Sequence, residues 1–99
     1  VGKLYYGPAD TEVHIDDWTL AHLETVIVSK LRRAETLTFT WHIPEERGGG
    51  EETIWLQPSI PLRFRYDVPV TTRNKAWLEL LMDSANHGNL RIVREPDPR

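Results

Sequence analysis

The sequence predicts an α+β domain, a mainly antiparallel sheet in the order ββ-α-βββ-α-β with two helices packed on one face. Three observations carry that prediction. Thr36 to Ile43 alternates large apolar residues with Thr and His, the pattern of a half-buried strand whose successive side chains point to opposite faces. Two longer stretches, one after Asp16 and one after Asn74, instead repeat their apolar residues at the helical period behind a capping residue. Gly and Pro separate the remaining short β-prone runs.

Lys3 to Tyr6 and Thr11 to Ile15 flank Gly7-Pro8-Ala9-Asp10 and read as an N-terminal hairpin with Val13 and Ile15 inward. Asp16 and Asp17 then offer an N-cap acceptor and first-turn negative charge. Lys30, Arg32 and Arg33 stand where the helix dipole favours cations, which frames a helix over 18–33. Its buried stripe is Leu20, Leu23, Ile27 and Leu31. In the strand that follows, Leu37, Phe39 and Trp41 face inward. Pro44 to Glu52 is a polar, glycine-containing loop, and Thr53 to Gln57 is the return strand with Ile54 and Leu56 inward.

Pro58 and Pro61 remove two ladder donors and break the pairing before Leu62 to Tyr66 alternates again, with Leu62 and Phe64 inward. A second helix runs from Lys75, capped by Asn74, to His87 and buries Trp77, Leu78, Leu81 and Ala85. Gly88 is placed for a left-handed C-cap. Leu90 to Arg94 closes the sheet. Residues 1–95 thus read as a single domain and 96–99 as a flexible tail, because Glu95-Pro96-Asp97-Pro98-Arg99 offers nothing to pack.

Composition excludes several classes of function. At 99 residues, 39% hydrophobic and 27% charged, the chain has enough apolar material for one small core. The lack of Cys removes disulfides, thiolate metal sites and a Cys nucleophile. Apolar runs fall far short of the roughly 20 residues that span a bilayer, and no export signal opens the chain, so a cytoplasmic protein without a membrane partner is expected. A net charge of −3 gives no general attraction to nucleic acid, so a local basic patch would have to supply it.

The polar residues point to surfaces before chemistry. His14, His22, His42 and His87 are scattered, Gly48-Gly49-Gly50 lacks the Lys-Ser/Thr of a phosphate loop, and Ser29, Ser59 and Ser84 have no nucleophile context. No catalytic residue, metal or cofactor is therefore expected. Glu24 falls among Leu20, Ile27, Val28 and Leu31, so it needs either a rim partner such as Arg91 or Arg94 or a pocket that raises its pKa.

The best functional candidate is the polar sheet face of Thr38, Thr40, His42, Trp55, Gln57, Arg63 and Arg65. Such a face can anchor a protein partner or a second copy through Trp and Arg, stack single-stranded nucleic acid, or stay solvated with Trp55 beneath an Arg. Trp18 and His22, with Thr25 and Ser29, form a second patch opposite the buried stripe, suited to a dimer contact or a lid over the helix N-terminus.

Gly2-Lys3-Leu4-Tyr5-Tyr6-Gly7, Thr19-Leu20-Ala21-His22-Leu23, Val28-Ser29-Lys30-Leu31-Arg32-Arg33, Trp55-Leu56-Gln57-Pro58-Ser59-Ile60-Pro61-Leu62 and Asn74-Lys75-Ala76-Trp77-Leu78-Glu79 occur together here. In this the chain resembles a family of short actinobacterial proteins, members of which often carry the label ATP-dependent DNA ligase. The likeness covers nearly the whole chain and implies a bacterial cytoplasmic protein, with no established catalytic residues to carry over. Ligases of that class form Lys-AMP within a K-x-D-G motif. Lys3, Lys30 and Lys75 are followed by Leu-Tyr-Tyr, Leu-Arg-Arg and Ala-Trp-Leu, so no lysine here stands in that motif. The leading expectation is a non-catalytic protein-interaction domain, self-association being one form of it. The alternative is an accessory nucleic-acid-binding domain linked to DNA repair or ligation.

Overall fold

A computed structural model describes residues 1–98. The elements are β1 (Gly2–Tyr6), β2 (Thr11–Ile15), α1 (Asp17–Arg32), β3 (Leu37–His42), β4 (Glu51–Leu56), β5 (Leu62–Arg65), α2 (Lys75–Asn86) and β6 (Asn89–Arg91). The predicted order and the α+β class are both found. The single sheet is corrected to two three-stranded sheets, β2-β1-β5 and β4-β3-β6. Proline explains the division: Pro58 and Pro61 bar a continuous ladder from β4 to β5, and a turn closed by Ile60 N–H on Gln57 O at 3.1 Å carries the chain to the first sheet. All pairings are antiparallel except that of β6 with β3, which is parallel and reached through α2.

One core joins the inner faces of both sheets to both helices, with Leu4, Leu20, Ile27, Phe39, Leu56 and Leu81 at its most enclosed positions. Helix α1 packs on β1 and α2 at once, so it buries more than the predicted stripe. Thr19, Ala21, His22, Val26 and Lys30 join Leu20, Leu23 and Ile27, while Leu31 stays half-buried. Gly2 permits the close approach of β1 to this helix. A Cβ there would lie 2.8 Å from Leu20 Cδ2 and 2.9 Å from both Asp17 Oδ1 and Ile15 O.

Both predicted caps form. Asp16 Oδ2 accepts from Thr19 N–H at 3.0 Å, and Asn74 Oδ1 accepts from Ala76 and Trp77 N–H at 3.1 and 3.3 Å. Gly88 adopts the left-handed conformation, with φ of 92°, and turns its carbonyl to Thr38 N–H at 3.0 Å, which starts the β3–β6 ladder.

The reading of 96–99 as a tail with nothing to pack is corrected at its first residue. Pro96 O accepts from Asn74 Nδ2 at 3.0 Å, and the preceding Glu95 carboxylate is bonded to both Trp18 and Asn74. Asn74 has donors left over once its oxygen has capped α2, and the C-terminal segment uses them. Arg99 lies outside the described residues.

Candidate functional site

The outer face of the second sheet holds Thr38, Thr40, His42 and Trp55 together. Strand register sets Thr38 opposite Trp55 and Asn89, Thr40 opposite Thr53 and Arg91, and His42 opposite Glu51. Trp55 is 47% exposed and donates its indole N–H to Gln57 Oε1 at 3.0 Å. Gln57 in turn donates to Ser59 Oγ at 2.8 Å, so the aromatic ring stands on a held support. Beside it Asn89 Nδ2 donates to Thr38 Oγ1 at 2.6 Å and Thr40 Oγ1 at 3.0 Å, and Thr40 shares a 2.7 Å hydrogen bond with Thr53. Thr40 is only 4% exposed, which corrects its expected projection into solvent: its neighbours on the same face cover it. Arg91 and His42 both approach Glu51, at 3.2 and 3.5 Å, so the charges on this face balance.

Arg63 and Arg65 do not share that face. Strand β5 pairs with β1 and not with β4, which sets Arg63 opposite Tyr5 and Arg65 opposite Lys3 on the outer face of the first sheet. The guanidinium of Arg63 lies 4.2 Å from the centroid of the Tyr5 ring. Glu12 serves the other side of this face, 3.7 Å from Lys3 and 3.1 Å from His14. The composite surface of Trp55 with two arginines is thus divided between two sheets.

The second predicted patch is also corrected. His22 is fully buried and belongs to a hydrogen-bonded junction of α1, α2 and the C-terminal segment. Its Nδ1 donates to Trp18 O at 2.8 Å, and Nε2 accepts the backbone N–H of Asn74 at 2.8 Å, which fixes the tautomer. The imidazole sits between Trp18 and Trp77, with centroids 4.5 and 4.8 Å away. Trp18 is half-buried and donates to both Glu95 oxygens at 3.1 and 3.0 Å, and Trp77 Nε1 donates to Val93 O at 2.9 Å. Donation from Asn74 and Trp18 holds the Glu95 carboxyl below the ordinary glutamate range.

Two polar contacts carry no local sequence signal. Glu24 pairs with neither Arg91 nor Arg94, since the Tyr66 hydroxyl donates to its Oε1 from a residue 42 positions away. Burial, and then that bonded carboxylate, push the Tyr66 phenol well above its ordinary value. Lys30 is buried, and its ammonium donates to Glu35 Oε1 at 2.6 Å and Asn86 Oδ1 at 2.7 Å, tying the end of α1 to the end of α2. A helix-end cation was legible at position 30, but its burial was not.

Among the described residues, no cluster of three or more His, Asp or Glu side chains is arranged to hold a metal ion, and no helix is long and apolar enough to cross a membrane. A family model described as a domain of unknown function, DUF7882, matches residues 1–95. The chain belongs to the DUF7882 family. No curated protein and no solved structure matches it. Within this DUF7882 chain the family match covers both sheets, both helices and the Glu95 anchor, so the Trp55 face and the His22 junction lie inside it.

Proposed function

We propose that this DUF7882 domain is a non-catalytic protein-interaction module whose contact surface is the outer face of the β4-β3-β6 sheet around Trp55. The carrying observation is an exposed indole that is already held: its N–H is bonded to Gln57, and the polar neighbours beneath it are bonded to one another. A large aromatic ordered before contact loses little side-chain entropy on binding, which is the property of an interface anchor. Among the histidines, His22 supports a non-catalytic reading, since both of its ring nitrogens are bonded within the core. The other three lie at the surface, where His87 donates to Asp83 O at 2.8 Å and His14 and His42 face Glu12 and Glu51.

Nucleic acid is the second reading, favoured by Lys3, Arg63 and Arg65 and by the ligase-labelled relatives that the sequence resembles. It has to do without Trp55, whose own face pairs Arg91 with Glu51 and carries no excess of positive charge.

Sedimentation velocity over a dilution series tests self-association through the Trp55 face. A photoreactive residue at exposed Thr36, the outward residue before β3, tests other protein partners in cells. A concentration-dependent dimer or a discrete protein adduct is expected, and Trp55→Ala should abolish it while the fold is retained. A chain that stays monomeric and gives no adduct, or an adduct unchanged by Trp55→Ala, would sink the proposal.

A further inference from the structure

We infer that the free edge of β5 is a docking site for an extended segment of a partner protein that alternates acidic and apolar residues, added to the first sheet as a further strand. The sheet order β2-β1-β5 leaves β5 with a neighbour on one side only. Gly7 N–H donates to Pro61 O at 3.0 Å, which makes Tyr5 with Arg63 and Lys3 with Arg65 the hydrogen-bonded pairs. Alternation then turns the backbone N–H and C=O of Leu62 and Phe64 outward, where among the described residues they meet no partner.

The two sides of this edge differ in chemistry. On the outer side Arg63 and Arg65 are exposed and form no ion pair among the described residues; Asp67 feels Arg65 through space without contacting it. Lys3, directly across from Arg65, already has Glu12 at 3.7 Å, so Arg63 and Arg65 are the cations that this face leaves without a carboxylate. On the inner side a groove of about 340 Å³ runs between β5 and α1, lined by Val28, Leu31, Ile60, Leu62 and Phe64 with Arg32 at its rim.

A strand laid along β5 presents side chains to these two sides in turn. Carboxylates at alternate positions would meet Arg63 and Arg65, apolar residues between them would enter the groove, and its backbone would take the groups of Leu62 and Phe64. Charge argues against the β5 edge of a second copy as the occupant, because β5 set beside another β5 opposes arginines with arginines. Cations on an edge strand also guard against such self-pairing, and the charge that repels a copy attracts an acidic strand. This site is independent of the Trp55 surface and stands or falls separately from it.

The test uses the full isotope-labelled chain and a synthetic peptide of alternating Glu and Val. Titration followed by NMR should shift the amides of residues 62–65 and slow hydrogen exchange at Leu62 and Phe64. Arg63→Glu combined with Arg65→Glu should weaken binding by about tenfold or more. Arg63→Gln with Arg65→Gln is the milder pair if the charge reversal disturbs the spectrum. Trp55→Ala should leave binding unchanged, which separates this site from the proposed interaction face.

Several outcomes would overturn the inference. One is equal binding by a peptide of the same composition with its acids in one block, and another is unimpaired binding after N-methylation of the peptide's strand amides. Absence of any shift at about 1 mM peptide would leave the arginines as edge guards only. Oligothymidylate that moves Arg63 and Arg65 without protecting Leu62 and Phe64, and that weakens steeply with salt, would make the patch a nucleic-acid site.

Discussion

Trp18 with His22 on α1, and Trp55 among the threonines of the second sheet, carry the same kind of sequence signal: a Trp beside polar residues at the period of its element. They end in opposite environments. His22 is wholly enclosed between two indoles with both ring nitrogens bonded, while Trp55 is nearly half exposed on a face whose hydrogen bonds are internal. The difference lies in what covers each side. Among the described residues no element lies over the outer face of the sheet, whereas α1 is covered from a second direction by α2 and by the segment that leaves β6. Periodicity identifies which residues share a side, and it is silent on whether that side meets water.

The largest effect that bears on this contrast lies directly behind the exposed face. Phe39 occupies the inner side of β3, stacked on Trp41 with centroids 5.2 Å apart. Phe39→Ala should cost about 3 to 5 kcal/mol, most of the stability of a domain this size, read as a collapse of the thermal or urea midpoint. A midpoint near that of the parent would mean the two faces of β3 are assigned the wrong way round.

His22→Ala comes next. It strips Asn74 N–H of its buried acceptor and opens a gap between Trp18 and Trp77, for an expected loss of about 2 to 4 kcal/mol. That corresponds to roughly 4 to 8 °C of melting temperature for each kcal/mol. If His22→Ala proved as mild as a surface change, the helix patch would be an exposed site after all, and the contrast would fail.

Glu95 gives a smaller, pH-dependent effect. Its carboxyl is lowered in the folded state by Asn74 and Trp18, so its contribution is present above the ordinary glutamate value and is lost as pH falls through the lowered one. Glu35, lowered chiefly by the hydrogen bond from Lys30, acts in the same direction. Acid melts of Glu95→Gln should therefore show a shallower decline between the two values than the parent does, with part of the slope left to Glu35. A parallel pair of curves would mean that the C-terminal anchor is not formed in solution.

Trp55→Ala should do least to the fold, within about 0.5 kcal/mol, while removing the proposed contact. A large loss of stability would move Trp55 from the surface into the core and erase the distinction from His22.

Local rules in the sequence determined much of this protein. Alternation in Thr36 to Ile43 fixes the inward row of β3, Asp16 and Asn74 begin the helices, Gly88 ends the second helix, and Pro58 and Pro61 stop a ladder. Each follows from dihedral limits, capping donors or side-chain period within a few residues. Tertiary structure alone decided that β5 pairs with β1 and not with β4, which carried Arg63 and Arg65 away from Trp55. It also gave Glu24 the hydroxyl of Tyr66, buried Lys30 between Glu35 and Asn86, and fastened Glu95 to Trp18 and Asn74. A chain segment encodes the direction in which its side chains point. Which groups they meet depends on elements far along the chain that compete to cover the same apolar surface, and the polar residues then take the partners this packing brings within reach.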